Sequence, residues 1–501
     1  MPTTTIRIEG GLLAAPAPRD NGVRVFKGIP YAAAPVGELR WRAPQPVGDW
    51  VGVRSSDAFG PNSMQGVVFD DIDPTVEGVS EDCLYLNVWT MGSEATSPMP
   101  VMVWIHGGGF AVGSGAEPRY DGGNLAARGV VVVTLNHRLN ALGFLAHPEL
   151  SAESARGASG NYGLMDIIAA LRWVSRNIRA FGGDPARVTV AGESAGSMAV
   201  SALMASPSAK GLFAGAIGES GALFPSVGRT IHSLATAHEA GVQFARRLGA
   251  ESLAALRRIP ANDILAAAPG IGFGAIVDGD VLPASLPQIF AAGAQNDVPL
   301  LAGWNKDEGF NFNANDIFKK REDEASLADV VRRVFGAQSE EALGFYPAGS
   351  KQAETQSARR LGADAVIVQG TWAWIEAQKT TGAADIFRFQ FDRAPLTPEG
   401  WFGSRPSADA GAFHAGELLY VFDNLDAFPW LVDEDDVGIA KLTSSYWLNF
   451  IKTYNPNGEG LPHWPSYREE GARLLAIDAK PSVRPDEDRA RQQFLAARLG
   501  T

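Results

Sequence analysis

Apolar residues along this chain fall into two rhythms. Strand-like runs at 101–105, 130–135, 188–191, 298–303 and 386–391 are short and mostly apolar, the pattern of strands buried on both faces. Between 165 and 178 the period changes: Ile167, Ile168, Leu171, Val174 and Ile178 share one face of a helix. A run of small helix formers follows at 197–205. The first hundred residues have β-meander character, and strands and helices then alternate as in a mostly parallel sheet, which predicts an α/β architecture. Helical, proline-punctuated stretches at about 222–297 and 313–380 are expected as insertions over one edge of that sheet.

Composition narrows the picture. With 46% hydrophobic and 20% charged residues in 501, the chain can bury a large core. No apolar run approaches the roughly 20 residues a membrane helix needs. Length alone suggests about three domains, but α/β enzymes grow by insertion, and neither linker, repeat nor low-complexity tract breaks the chain, so residues 1–501 are read as one elaborated domain. Lys and Arg number 43 against 56 Asp and Glu, a net charge of −13, which disfavours nucleic acid and anionic membranes as partners. The segment from Met1 to Arg7 has no basic stretch followed by an apolar one, so a cytoplasmic location is expected. Cys83 is the only cysteine, which leaves no intrachain disulfide to form and suits a reducing compartment. It lies in an apolar strand-like segment and is read as a buried packing residue.

Candidate chemistry begins where a strand meets a helix. Gly192-Glu193-Ser194-Ala195-Gly196 reads G-x-S-x-G between the run at 188–191 and the helix formers at 197–205. A strand that turns at once into a helix strains its middle residue, and glycines on either side leave room for the crossing, so Ser194 would stand exposed as a nucleophile. The alternative is an ordinary strand-to-helix turn. A second signal comes earlier: His106-Gly107-Gly108-Gly109-Phe110 follows the strand at 101–105. Backbone N–H groups of such a loop can approach a developing alkoxide, together with the N–H after the nucleophile, here Ala195.

With these motifs in this order, the chain resembles the type-B carboxylesterases of the α/β-hydrolase superfamily, the group of para-nitrobenzyl esterases and cholinesterases. The resemblance runs nearly end to end, through Phe26-Lys27-Gly28-Ile29-Pro30-Tyr31-Ala32, Ser80-Glu81-Asp82-Cys83-Leu84-Tyr85-Leu86-Asn87, Gly160-Asn161-Tyr162-Gly163-Leu164, Phe181-Gly182-Gly183-Asp184-Pro185, Asn305-Lys306-Asp307-Glu308-Gly309 and Asn455-Pro456-Asn457-Gly458. It implies an α/β-hydrolase fold and a nucleophile, acid, histidine order along the chain. Glu308 is the implied acid, with its neighbour Asp307 as rival. Among seven histidines the family pattern picks His414, in Gly411-Ala412-Phe413-His414-Ala415-Gly416-Glu417-Leu418. His106 belongs to the oxyanion loop, His137 replaces a residue usually tyrosine, and His463 lies in a proline-rich stretch. Glu193 resembles a family glutamate buried close to the site, either as electrostatic support for a cationic imidazole or as a packed spacer. Arg138 with Asp166, and Arg40 with Glu81, stand where the family has buried ion pairs. The chain departs from the pattern at Asn140, where glycine is usual, at Ile167, where many have glutamine, and at Ser63, where animal relatives have the cysteine that pairs with Cys83.

The implied reaction is two-step acyl transfer. His414 takes the Ser194 proton, the alkoxide attacks an ester carbonyl, the alcohol leaves with that proton, and water resolves the acyl-enzyme. Glu308 holds the imidazole, and the N–H groups of Gly108, Gly109 and Ala195 face the oxyanion. No cofactor is implied, and no H-E-x-x-H metal cluster appears. The segment between Ser63 and Cys83 contains Phe69 but not the tryptophan with which cholinesterases bind quaternary ammonium, so choline esters are disfavoured. Asp70, Asp71 and Asp73 there form a solvated acidic loop or rim the entrance. Trp401 and Phe402 line a gorge or pack in a core. The expected substrates are small, uncharged, moderately apolar esters. Competing readings are a lipase or a polyester or carbamate hydrolase of the same fold, and a binding module without catalysis. Oligomeric state stays open.

Overall fold

A computed structural model describes residues 5–67, 78–92, 97–469 and 471–499. Phe69, Asp70, Asp71 and Asp73 lie outside the described residues. Ten strands form the main sheet: β1 (Arg24–Pro30), β2 (Tyr85–Thr90), β3 (Met99–Ile105), β4 (Val131–Leu135), β5 (Gly183–Glu193), β6 (Gly215–Glu219), β7 (Leu300–Asn305), β8 (Ile386–Phe391), β9 (Arg473–Ile477) and β10 (Ser482–Pro485). Their order across the sheet is β10-β9-β8-β7-β6-β5-β3-β4-β2-β1. Seven neighbours from β9 to β4 run parallel, and the antiparallel pairs lie at the two edges. This is the doubly covered, mostly parallel sheet that the apolar runs require. The meander before residue 100 is divided: Thr5–Ile8, Gly11–Ala14 and Val53–Arg54 form a small separate sheet, and β1 and β2 join the large one.

Side-chain alternation along β3 shows how the sheet is sealed. Val101, Val103 and Ile105 face one core with α1 (Tyr162–Asn177) and α2 (Ala195–Ala205). Met102 and Trp104 face the other, with residues of α3 (Glu434–Thr453). The expected boundaries shift modestly. The helix expected at 165–178 begins at Tyr162, and the strand expected at 188–191 extends to Gly183–Glu193 through an irregularity between Gly183 and Val188. The insertions at 222–297 and 313–380 are helical and leave from the C-terminal ends of β6 and β7, the edge where Ser194 stands.

Both expected ion pairs are present, the first buried and the second partly so. Arg138 donates to Asp166 through Nε at 2.8 Å and Nη2 at 2.7 Å, and its backbone N–H adds a third bond at 3.0 Å. Arg40 grips Glu81 with two bonds of 2.6 and 2.5 Å. Cys83 is fully buried; burial pushes its thiol up to about 12, and the Ser63 hydroxyl lies against it. Asn140 has φ 48°, which explains why it can stand in for glycine: asparagine tolerates the left-handed region better than most residues. Its side-chain amide also donates to the Met64 carbonyl at 2.7 Å. Ile167 is fully buried in the core beneath the sheet.

Candidate active site

Ser194 sits between the end of β5 and the start of α2 with φ 55° and ψ −120°. That conformation is costly for a residue with a Cβ and persists only where the surroundings over-determine it. Two constraints do so here. The Ser194 N–H donates to the Glu219 carbonyl of β6 at 2.8 Å. Gly192 and Gly196 let α2 cross β3 closely, since a Cβ on Gly196 would lie 2.0 Å from the Ile105 carbonyl oxygen. The G-x-S-x-G spacing is thus a packing requirement, and the serine hydroxyl is left projecting at the sheet edge.

His414, on the loop beyond β8, meets this hydroxyl: Ser194 Oγ and His414 Nε2 are 2.9 Å apart. The other ring nitrogen, Nδ1, donates to Glu308 Oε2 at 2.7 Å. Glu308 follows β7 and is held through its second oxygen, which accepts the Asn305 N–H at 2.9 Å. Asp307 points elsewhere. Its Oδ2 accepts the Ala412 N–H at 2.8 Å and its own N–H donates to the Ala412 carbonyl at 2.9 Å, so it fastens the loop that carries His414. The two adjacent carboxylates therefore divide the work as side-chain alternation demands.

The Gly107 loop lies over the serine, since a Cβ on Gly107 would come within 3.2 Å of Ser194 Cβ. Gly108 has φ 98° and a Cβ there would strike the Val112 carbonyl at 2.2 Å, so this position excludes side chains. The N–H groups of Gly108, Gly109 and Ala195 have no acceptor among the described residues and are free to donate to a ligand oxygen. His106 is buried behind them. Its Nδ1 donates to the Gly107 carbonyl at 2.8 Å, and its ring stacks on His137 with centroids 4.7 Å apart. Burial lowers both, His106 to about 3 and His137 to about 4, so the stacked pair is neutral.

Beneath the histidine lies a group of buried acids that residue patterns revealed only in part. Glu193 Oε1 is 3.1 Å from His414 Nε2. Glu219 is its register partner on β6 and accepts Trp447 Nε1–H at 2.7 Å. Glu417 accepts the Asn305 side-chain amide. Burial raises Glu193 and Glu219 well above the usual carboxylate range and pushes Glu417 to about 7. Burial would lower His414, but Glu193 and then Glu308 outweigh it and hold the imidazole up to about 10. Glu417 stood in the histidine motif without an assigned role, and Glu219 was missed; its signal was its place at the end of a strand beside Glu193. Asn305, which also donates to the Phe413 carbonyl at 2.8 Å, was likewise missed as the link between the Glu308 and His414 loops.

Phe312 meets the His414 ring edge-on at 4.9 Å. Trp401 and Phe402 instead join Phe310, Phe413 and Trp430 in an aromatic cluster beside the histidine loop, with Phe402 4.9 Å from Phe413. Of their two readings, packing is the one the contacts support. Taken together, the arrangement can move one proton between a hydroxyl and an imidazole, stabilise the cation that results, and offer free backbone N–H groups to a negative oxygen.

Known proteins resemble this chain along nearly its whole length. The sequence profile of the Carboxylesterase family matches residues 2–495. The chain is 38% identical over 472 residues to fumonisin B1 esterase of Sphingopyxis macrogoltabida, covering 90% of this chain and 83% of that one. It is 36% identical to para-nitrobenzyl esterase of Bacillus subtilis, covering 95% of each. Among solved structures, a carboxylesterase of Geobacillus stearothermophilus superposes with a TM-score of 0.83 at 36% identity, covering 98% of this chain and 99% of that one.

Proposed function

Because the chain belongs to the carboxylesterase family and is a carboxylic ester hydrolase of the α/β-hydrolase fold, we propose that Ser194 is its nucleophile, His414 its general base and Glu308 the acid that orients the imidazole. The observation that carries this assignment is the unbroken series Ser194 Oγ, His414 Nε2, His414 Nδ1 and Glu308 Oε2, with steps of 2.9 and 2.7 Å across the ring. Proton removal by Nε2 activates Oγ as it attacks the ester carbonyl. The charge that develops on the carbonyl oxygen meets the N–H groups of Gly108, Gly109 and Ala195, each such donor being worth about 2.7–4 kcal/mol of barrier. His414 then returns the proton to the departing alcohol, and a water attacks the acyl-enzyme by the same route. Glu193, 3.1 Å from Nε2, stabilises the imidazolium formed in both steps.

Small aryl and alkyl esters are the proposed substrates, hydrolysed faster than amides or carbamates, whose carbonyls are less electrophilic. No helix among the described residues is long and apolar enough to cross a membrane. A cytoplasmic, bacterial-type setting is proposed, supported by the single buried Cys83 and by the bacterial relatives. The test is hydrolysis of para-nitrophenyl acetate, butyrate and octanoate by the wild type and by Ser194→Ala, with the site of organophosphate labelling located by mass spectrometry. Labelling at Ser194 and loss of about 10⁴-fold or more in kcat are expected. A folded Ser194→Ala variant that still turns over would sink the assignment, and activity that jumps above the solubility limit of the octanoate would favour a lipase.

A further inference from the structure

One partly buried cation beside the helix that carries the nucleophile has no acidic partner among the described residues. Arg229 closes a tight turn with Ser226, through backbone bonds of 3.0 and 3.2 Å. This turn is pinned from two sides: Ser226 Oγ donates to the Ala365 carbonyl, and the Val227 N–H donates to Gln369 Oε1 at 2.9 Å. The anchoring carbonyl belongs to a π-helical turn, Asp364–Val368, an irregularity that recurs at functional sites. The guanidinium is thereby held against the backbone of residues 222–224. Nη2 donates to the Ala222 carbonyl at 2.5 Å and to the Phe224 carbonyl at 3.3 Å. Nη1 has only the thioether of Met198, at 2.9 Å, and Nε has no partner. No Asp or Glu among the described residues pairs with it, and burial alone lowers it to about 10. Neutral carbonyls solvate a cation without cancelling its charge, and buried charges in folded proteins are otherwise paired.

Its position relates it to the acyl-enzyme. Met198 is one helical turn beyond Ser194, and helical side chains lean back toward the N-terminus, so its thioether covers the turn that carries the nucleophile. Ala222 follows Gly221, whose Cβ would lie 2.5 Å from the Ser194 carbonyl. Two of the groups that hold Arg229 thus lie close to Ser194 along the chain, Met198 one helical turn on and Ala222 next to the glycine packed on its carbonyl, and the acyl part is what stays on Ser194 once the alcohol has left.

Resting on the esterase reading, we infer that Arg229 recognises a carboxylate at the far end of the acyl group, so that half-esters of dicarboxylic acids are a substrate class of this site. The carboxylate displaces the flexible Met198 thioether, a weak acceptor, and supplies the missing charge through a planar fork that suits it. The reaction is unchanged: water adds to the acyl carbon, the alcohol leaves with a proton, and a dicarboxylate is released.

The experiment compares monoethyl succinate, glutarate and adipate with ethyl butyrate, pentanoate and hexanoate, following release of ethanol. The readout is the ratio of kcat/KM for each half-ester to that of its uncharged counterpart. In Arg229→Met the best ratio is expected to fall about tenfold or more, and Arg229→Lys is expected to recover part of it. An unchanged ratio overturns the assignment. So does an equal effect on 4-acetoxybutyrate, which carries its carboxylate on the alcohol side. Should Arg229→Met fail to fold, inhibition of the wild type decides: glutarate is expected to compete at about tenfold lower concentration than butyrate, and equal potency overturns the proposal. Wild-type hydrolysis of ethyl butyrate is read separately, since its absence would strike the esterase reading, whereas its presence with an unchanged ratio strikes Arg229 alone.

Discussion

His414 is poised between two carboxylates, and its titration is where single residues become measurable. Glu193 and Glu308 favour the protonated ring, yet Nε2 must be free of its proton to receive that of Ser194. Activity is therefore lost as pH falls through the His414 pKa, and any change that lowers this pKa extends activity toward acid. Glu193→Gln removes one of the two charges, so the acid limb of the kcat/KM profile is expected to move down by about one unit. The plateau should drop about tenfold, because one unit corresponds to about 1.4 kcal/mol of lost stabilisation of the imidazolium. A limb that does not move would mean that Glu193, which burial drives toward its neutral form, acts as a packed spacer.

Single elements meet at contacts with no slack. Helix α2 crosses β3 at Gly196, where an added Cβ would lie 2.0 Å from the Ile105 carbonyl oxygen, so one of the two backbones must move. Gly196→Ala is expected to cost about 1–3 kcal/mol in chemical denaturation and to lower kcat, because the displaced helix carries the Ala195 N–H with it. The loop after β4 is joined to α1 by Arg138 and Asp166, neither appreciably exposed. Burial pushes the Asp166 carboxyl up against the opposing pull of Arg138, so this pair stands only with both partners present. Asp166→Asn is expected to lose about 3–5 kcal/mol of stability, read as a fall in denaturation midpoint, since it leaves Arg138 buried without its charge partner.

Across the whole molecule, we infer one domain from residue 1 to 501. The main sheet is continuous from β10 to β1, and the last helix, α4 (Arg489–Leu499), is bound back into the body. Arg491 reaches Asp364 at 2.8 Å and Arg489 reaches Glu376 at 2.8 Å. Arg388 of β8, wholly buried, pairs with Asp486 and lies 4.1 Å over the Trp304 ring. Such cross-links bind the last helix and the β10 edge to the rest of the described residues. Heat is expected to produce one transition, with far-UV ellipticity and residual hydrolysis of para-nitrophenyl butyrate falling at the same temperature. Two resolved transitions would divide the domain.

Local pattern was enough to locate five of the central strands, because a fully buried parallel strand is mostly apolar, as residues 101–105 are, but it passed over β6, whose Gly215–Glu219 is buried with two glycines and a glutamate. It was also enough to mark Ser194, because only glycine fits where α2 crosses β3 and the elbow writes that need into adjacent residues. For the partners of Ser194 the chain offered an order rather than a contact. His414 lies 220 positions from Ser194 and Glu308 106 from His414, and no periodicity spans such separations. The family resemblance named both residues. Folding alone turned Glu308 toward the ring and Asp307 toward the Ala412 amide. It was likewise folding that gathered Glu193, Glu219 and Glu417 beneath the histidine and left Arg229 without an acidic partner among the described residues. A charge in a sequence carries no mark of its burial, because burial depends on what distant segments pack against it.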